Sequence, residues 1–217
     1  LLHDQHSTLG ATWGEEGGAE VPLHYGDVVA EYRAMRTGMG VSDLSHRGKI
    51  RVTGDDRVKW LQSIISNDLL KLQPGQGTYS SFLTHKGKML SYFRAYVLPD
   101  VVWLEDVGEI EDATFLALKK FLLYGTKAKM ENCGSSWGLL LVSGPQAGSL
   151  MATVSGIQMA EQPMLTVVSA EIAGHACLLV RTEETGETDI EIFVQTQGLP
   201  VVWDRLWSVG APLGLKA

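Results

Sequence analysis

The chain has 217 residues, room for one large domain or two small interwoven ones, and its 45% apolar and 20% charged content excludes fibrous, disordered and coiled-coil proteins. Eighteen Lys and Arg against 25 Asp and Glu leave a formal charge of −7, which argues against broad binding to a phosphate backbone; no nucleic-acid partner is expected. The longest apolar runs, such as Gly138–Val142, fall far short of the ~18–20 residues that span a bilayer, and no basic-then-apolar leader opens the chain, so neither a membrane partner nor secretion is expected.

The N-terminal part reads as a Gly-rich loop at Trp13–Gly18, followed by a helix from about Asp27 to Thr37, capped by Asp27 and ended by Gly38 and Gly40. Lys49–Thr53 alternates polar and apolar residues as a half-buried strand does, with Gly54-Asp55 as its turn. A second helix is expected from Asp55 or Asp56 to about Ser66, with Val58, Leu61, Ile64 and Ile65 on one face. Beyond the Pro74–Gly77 turn, Tyr79–Thr84, Met89–Leu98 and Val101–Asp106 read as an antiparallel meander joined by His85–Gly87 and Pro99-Asp100. A helix over Ile110–Tyr124 follows, with Ala113, Phe115, Leu116, Leu118, Phe121 and Leu122 expected to be covered. Strands are expected around Trp137–Val142, Leu165–Ser169, Cys177–Arg181 and Asp189–Val194, a short helix over Gln146–Val154, and a last helix from Leu199 or Pro200 to Gly210. Helices and strands mix without a βαβ repeat, so the fold class is α+β.

Generic motifs of chemistry are absent: no P-loop, no dinucleotide fingerprint, no H-E-x-x-H and no G-x-S-x-G elbow. The six histidines are dispersed and the two cysteines, Cys133 and Cys177, lack ligand spacing. No metal site is expected; the cysteines read as buried small hydrophobes in a reducing, cytoplasmic compartment.

Two local features admit a chemical reading. In Asp189–Val194 the residues Ile190, Ile192 and Val194 share one face, and Asp189 and Glu191 the other. A carboxylate fixed on a strand can accept two hydrogen bonds from an amidine-like edge such as a pterin or guanine presents, or the face can simply be solvated. His85-Lys-Gly-Lys88 with Arg94 forms a basic island that could hold an anionic tail or merely decorate a hairpin.

Three stretches together resemble the glycine-cleavage T-protein (aminomethyltransferase) and YgfZ-like folate-binding superfamily. Gly40-Val-Ser-Asp-Leu-Ser-His-Arg-Gly48 resembles F-D-x-S-H-M-G; Gly54-Asp-Asp56, Leu61-Gln62 and Ser66-Asn-Asp68 resemble G-x-D-A…L-Q…T-N-D; Arg181–Ile192 resembles R-x-G-Y-T-G-E-x-G-x-E-I. The resemblance runs from Leu9 to Ala217 and implies two interleaved α+β subdomains with mostly antiparallel sheets around a tetrahydrofolate cleft. One subdomain is expected to comprise residues 1–43 with 131–217 and the other residues 44–130, without the family's C-terminal β-barrel domain. By position, Glu191 matches the glutamate that holds the pterin edge, Tyr79 a folate-lining position and Trp103 an aromatic wall. The departures are as informative. The family's G-G-x-x-D-D carries the acid that assists transfer, whereas Gly87-Lys-Met-Leu-Ser-Tyr92 has Ser91 and Tyr92 at the two carboxylates, so no catalytic residue is expected. Glu184 replaces a folate-contacting Tyr, and Arg47 replaces the Met of S-H-M-G.

The resemblance thus implies a tetrahydrofolate-binding protein acting in one-carbon or iron–sulfur-related metabolism. An active aminomethyltransferase or related one-carbon transferase is the alternative, and a scaffold that has lost its ligand is the third reading. The YgfZ-like branch carries K-G-C-x-x-G-Q-E, which does not occur here. The chain stops within the stretch before the family's R-D-x-L-R, so that arginine and that cysteine motif are expected beyond residue 217. Folate is the expected partner, and no protein partner is named by the residues.

Overall fold

A computed structural model describes residues 1–16, 18–106 and 111–217. In chain order the elements are α1 (His3–Thr8), β1 (Thr12–Glu16), β2 (Ala19–His24), α2 (Val28–Thr37), β3 (Gly40–Asp43), β4 (Gly48–Thr53), α3 (Arg57–Gln62), β5 (Gln76–Leu83), β6 (Met89–Val97), β7 (Val101–Asp106), α4 (Glu111–Lys119), β8 (Lys129–Asn132), β9 (Trp137–Ser143), α5 (Ala147–Ser155), β10 (Val167–Ile172), β11 (His175–Thr182), β12 (Asp189–Gln195) and α6 (Leu199–Gly210). The mixture of helices with antiparallel sheets is α+β. Among the described residues no helix is long and apolar enough to cross a membrane.

The chain divides into two compact units, Leu1–His46 with Ser136–Ala217, and Arg47–Ser135. The first holds the β1–β2 hairpin and an antiparallel sheet of order β10-β11-β12-β9-β3. One face of that sheet, with Leu140, Val142, Leu179, Ile190, Ile192 and Val194, packs on α5 and α6. Helix α6 buries Leu199, Val202, Trp203 and Leu206, a stripe at helical spacing, and opens with Pro200, whose missing N–H has no partner to lose there. The second unit holds an antiparallel sheet of order β5-β6-β7-β4-β8. Its apolar face, with Ile50, Val52, Phe82, Phe93, Ala95, Val102 and Leu104, packs on Trp60, Leu61 and Leu118 from α3 and α4.

Several expectations need correction. The stretch Trp13–Gly18, read as a loop, overlaps strand β1, which begins at Thr12; its glycines hide the pattern, and Gly14 sits close against β2, where a Cβ would lie 2.5 Å from the Leu23 side chain. Gly17 lies outside the described residues. Helix α3 stops at Gln62 rather than Ser66, since the next turn tightens into Ser63 N–H to Trp60 and Ile64 N–H to Leu61 bonds. Strand β10 starts two residues after Leu165, whose φ of 60° takes it out of extended geometry. Helix α4 ends at Lys119, and Ile110 is outside the described residues; Leu116 and Phe121, expected to be covered, are 56% and 47% exposed because only one stripe of this segment meets the sheet. The short elements α1, β3 and β8 carried no periodic signal.

Candidate functional site

The second face of the β5-β6-β7-β4-β8 sheet is polar, and period-2 alternation assembles it. Register pairs Tyr79 with Arg94 and Ser81 with Tyr92, then Arg94 with Glu105, Tyr96 with Trp103, Lys49 with Glu105 and Arg51 with Trp103. At the edge of this face the rings of Tyr79 and Tyr92 stack, centroids 5.7 Å apart and planes 5° from parallel. Tyr92 is 40% exposed and Tyr79 half-buried, so the pair offers an accessible aromatic surface.

The family-like motif residues turn out to hold this edge in place. The Asn67 side-chain amide donates to Thr78 Oγ1 at 2.7 Å and to the Tyr79 carbonyl at 2.9 Å, and Ser81 N–H donates to Ser66 Oγ at 2.9 Å. Gln62 Oε1 accepts from Leu69 N–H at 2.7 Å, closing the loop that leads to β5. Ser91 and Tyr92 do not act as a pair: Ser91 is in register with the core residue Phe82, so alternation sends the two side chains to opposite faces.

At the centre of the polar face Glu105 is fully buried. Its Oε1 accepts from Arg94 Nη2 at 2.5 Å and from Arg47 Nη1 at 3.1 Å, and its Oε2 accepts from the Tyr96 hydroxyl at 3.1 Å. Lys49, equally buried, donates through Nζ to the Arg47 carbonyl at 2.5 Å. Arg94 is therefore not part of the basic island at the 85–88 hairpin tip: the tip is exposed while Arg94 is sealed. Trp103 is buried, with the Arg51 guanidinium 5.5 Å from its ring centroid. Glu105 and Lys49 were missed by the sequence reading, although Arg47, Lys49 and Arg51, like Trp103 and Glu105, recur at the spacing of one strand face.

In the first unit Glu191 lies on β12, the middle strand of its sheet, in register with Leu141 and Val180, and its side chain is fully buried. The solvated-face reading of this strand is thus corrected: Leu141, Val180 and Phe193 on the same face are also buried. Asp189 serves the β11–β12 turn, its carboxylate accepting from Thr185 N–H and from the Thr185 hydroxyl, both at 2.7 Å. Arg36 from α2 braces the same turn, 3.1 Å from Glu187 and donating to the Thr185 carbonyl at 2.9 Å. Glu184 sits exposed on this turn.

A second cluster in this unit escaped the sequence reading. The Tyr25 hydroxyl lies 2.7 Å from His6 Nδ1, and His6 Nε2 lies 3.1 Å from Asp43 Oδ2, with His6 almost fully buried. Asp43, the Asp of the D-x-S-H stretch, also accepts from Ser45 N–H at 2.9 Å. Burial would raise the Asp43 carboxyl, but hydrogen bonds from His6 and Ser45 hold it below the usual carboxylate value. Asp43 and Tyr25 line a cavity of about 270 Å³. Burial pushes the Cys177 thiol up to about 11, keeping it a protonated core side chain.

Comparison with known proteins agrees with the fold. The profile of the GCVT N-terminal domain family matches residues 2–217. Aminomethyltransferases of Deinococcus deserti and Thermus thermophilus are 30% and 31% identical to it over 217 residues; the alignments cover 100% of the chain but only 61% and 62% of those proteins. The chain therefore spans about three-fifths of the curated relatives it matches. The crystal structure of glycine cleavage system aminomethyltransferase T from Bartonella henselae superposes with a TM-score of 0.86 at 25% identity, over 95% of this chain and 56% of that one. The heterotetrameric sarcosine oxidase of Corynebacterium sp. U-96 shares the fold at a TM-score of 0.61 and 13% identity, over 84% and 90% of the two chains.

Proposed function

Because the chain belongs to the GCVT N-terminal domain family, we propose that it binds tetrahydrofolate and lacks the carboxylate that would make it an efficient one-carbon transferase. The observation that carries this reading is Glu191, a carboxylate held at zero exposure on a central strand; the sequence resemblance matches it to the family's pterin-binding glutamate. A carboxylate in that setting accepts the paired N–H donors of a pterin edge with little competition from water. In the second unit the stacked Tyr79 and Tyr92 supply a π surface for a flat ring and Arg47 is anchored on Glu105, while in the first unit Glu184 lies on the braced turn; the sequence resemblance assigns each of them to the ligand. Trp103 contributes a rigid wall.

The sequence resemblance matches Ser91 and Tyr92 to the family's two carboxylates, and neither side chain is an acid suited to protonating a weakly basic aryl amine at neutral pH. The role supported is therefore folate binding in one-carbon or iron–sulfur-related metabolism, in the cytoplasm. The aminomethyltransferases among the relatives favour a second reading, an active enzyme of the same kind. Calorimetric titration of the 217-residue chain with tetrahydrofolate, run beside a turnover assay with an aminomethyl donor, separates the two. Binding without turnover is the expected result; turnover establishes the second reading, and absence of both overturns the proposal.

A further inference from the structure

The last helix carries a W-D-x-x-W stretch, Trp203 to Trp207, that the folate reading does not use. The two rings lie on one face of α6, one turn apart, with planes 3° from parallel and centroids 6.3 Å apart. Trp203 is 2% exposed and held in place: the His6 ring meets it edge-on at 5.0 Å, and His6 is itself fixed between Tyr25 and Asp43. Trp207 is half-buried. Facing the indoles, α1 contributes Asp4, Gln5 and Thr8, and with Asp204 these residues bound an open groove of about 330 Å³. The groove is lined by two indoles, two carboxylates and neutral groups, and no basic side chain among the described residues lines it.

We propose that the groove between α1 and α6 binds a small organic cation of the quaternary ammonium class, with the Trp207 indole against its alkyl groups and Asp204 and Asp4 supplying the opposite charge. Indole is the strongest of the aromatic partners for a cation, through the negative face of its quadrupole. An alkylated ammonium is favoured over a metal ion because it sheds water readily and covers apolar surface as well. It is favoured over a bare lysine ammonium for the same reason, that group being compact and strongly hydrated. The volume matches a small molecule, and the openness of the site to water limits affinity to the millimolar range. The fixed rings make the site preformed: Trp203 needs no rearrangement to serve as its floor.

The test uses the 217-residue chain labelled with 5-fluorotryptophan and observed by fluorine NMR at about pH 8. Tetramethylammonium chloride is titrated against sodium chloride at equal ionic strength, choline against its neutral isostere 3,3-dimethyl-1-butanol, and N-acetyl-lysinamide as the primary ammonium. Trp207 is expected to shift saturably with tetramethylammonium and choline, and the neutral isostere and the lysine derivative to bind at least about fivefold more weakly. Asp204→Asn should weaken binding about threefold, and Trp207→Leu should abolish it. Should Trp207→Leu fail to fold, Asp204→Asn and the isostere comparison decide. No saturable shift beyond that of sodium chloride, equal binding of the neutral isostere, equal or tighter binding of the lysine derivative, or an Asp204→Asn chain that binds as wild type, each overturns the proposal.

Discussion

Arg94 on β6 and Glu105 on β7 are register partners whose charged groups meet at 2.5 Å, with neither side chain exposed to solvent. Arg47 and the Tyr96 hydroxyl converge on the same carboxylate. Removing the one acid would leave buried guanidinium groups without it. Glu105→Ala should therefore destabilise the chain by about 3–5 kcal/mol, far more than an exposed ion pair such as Arg51–Glu131 is worth. Urea unfolding midpoints measure this, and a loss below about 1 kcal/mol would show that the network contributes little net stability.

Asp43 gives an acid-side prediction. Its folded carboxyl value lies below the ordinary 3.8, so the stability it contributes is fully present above 3.8 and is lost as pH falls through the folded value. Asp43→Asn should be less stable than wild type at neutral pH by about 1–3 kcal/mol, with the gap narrowing on acidification. A gap independent of pH would contradict the assignment.

Tyr25 supplies the alkaline counterpart. Burial first, then the charges of Asp43 and Glu31, push its phenol well above the ordinary 10.0. Stability from the neutral phenol is present below 10.0 and lost as pH rises toward the folded value. Tyr25 should be among the phenols that resist ionisation in a spectrophotometric titration of the native chain. Tyr25→Phe should remove that late step and cost about 0.5–1.5 kcal/mol at neutral pH.

Gly144 and Gly156 both have left-handed backbone, with φ of 113° and 73°, but only one is crowded. A Cβ at Gly144 would lie 2.6 Å from the Gly38 carbonyl oxygen and 2.7 Å from that of Met35, whereas none of the atoms around Gly156 comes within 4 Å. Gly156→Ala should cost about 1 kcal/mol and Gly144→Ala at least about twice that. Thermal melts of the two variants, compared side by side, check the order.

For the ligand, Glu191→Gln should weaken tetrahydrofolate binding by about 1–3 kcal/mol, because one carboxylate oxygen becomes a donor facing donors. Tyr79→Leu should cost about 0.5–1.5 kcal/mol through lost stacking. Calorimetry on variants with wild-type melting temperatures measures both, and unchanged affinity in Glu191→Gln would remove that residue from the site.

The meander from β5 to β7 is legible because its segments are rich in aromatic and β-branched residues and its turns carry Gly, Pro and Asp. Helix α2 was legible through its cap: Asp27 accepts from Val29 and Ala30 N–H as expected. Four-residue strands such as β3 and β8 are too short for a period to register, and they form only because longer neighbours offer a ladder. The burial of Glu191 could not be read from alternation, which separates two faces without saying that the polar one is also covered. Arg94 was misplaced for a related reason: proximity in sequence to Lys86 and Lys88 suggested a shared island, while strand geometry carries it away from the tip to Glu105. Tyr25, His6 and Asp43 converge from three segments, and only tertiary structure brings them together.

The pairing of β3 with β9 also bears on how the chain is made. Residues 47–135 emerge from the ribosome as one uninterrupted stretch and contain every strand of their own sheet, so that unit can close while β9 to β12 are still unsynthesised. Strand β3 is finished before any of them, yet its ladder partner is translated only after the whole intervening unit, a delay of roughly ten seconds at typical elongation rates. During that interval the N-terminal segment is a nascent edge without its sheet. Chaperone capture and off-pathway association during synthesis should therefore concentrate on the first forty-six residues.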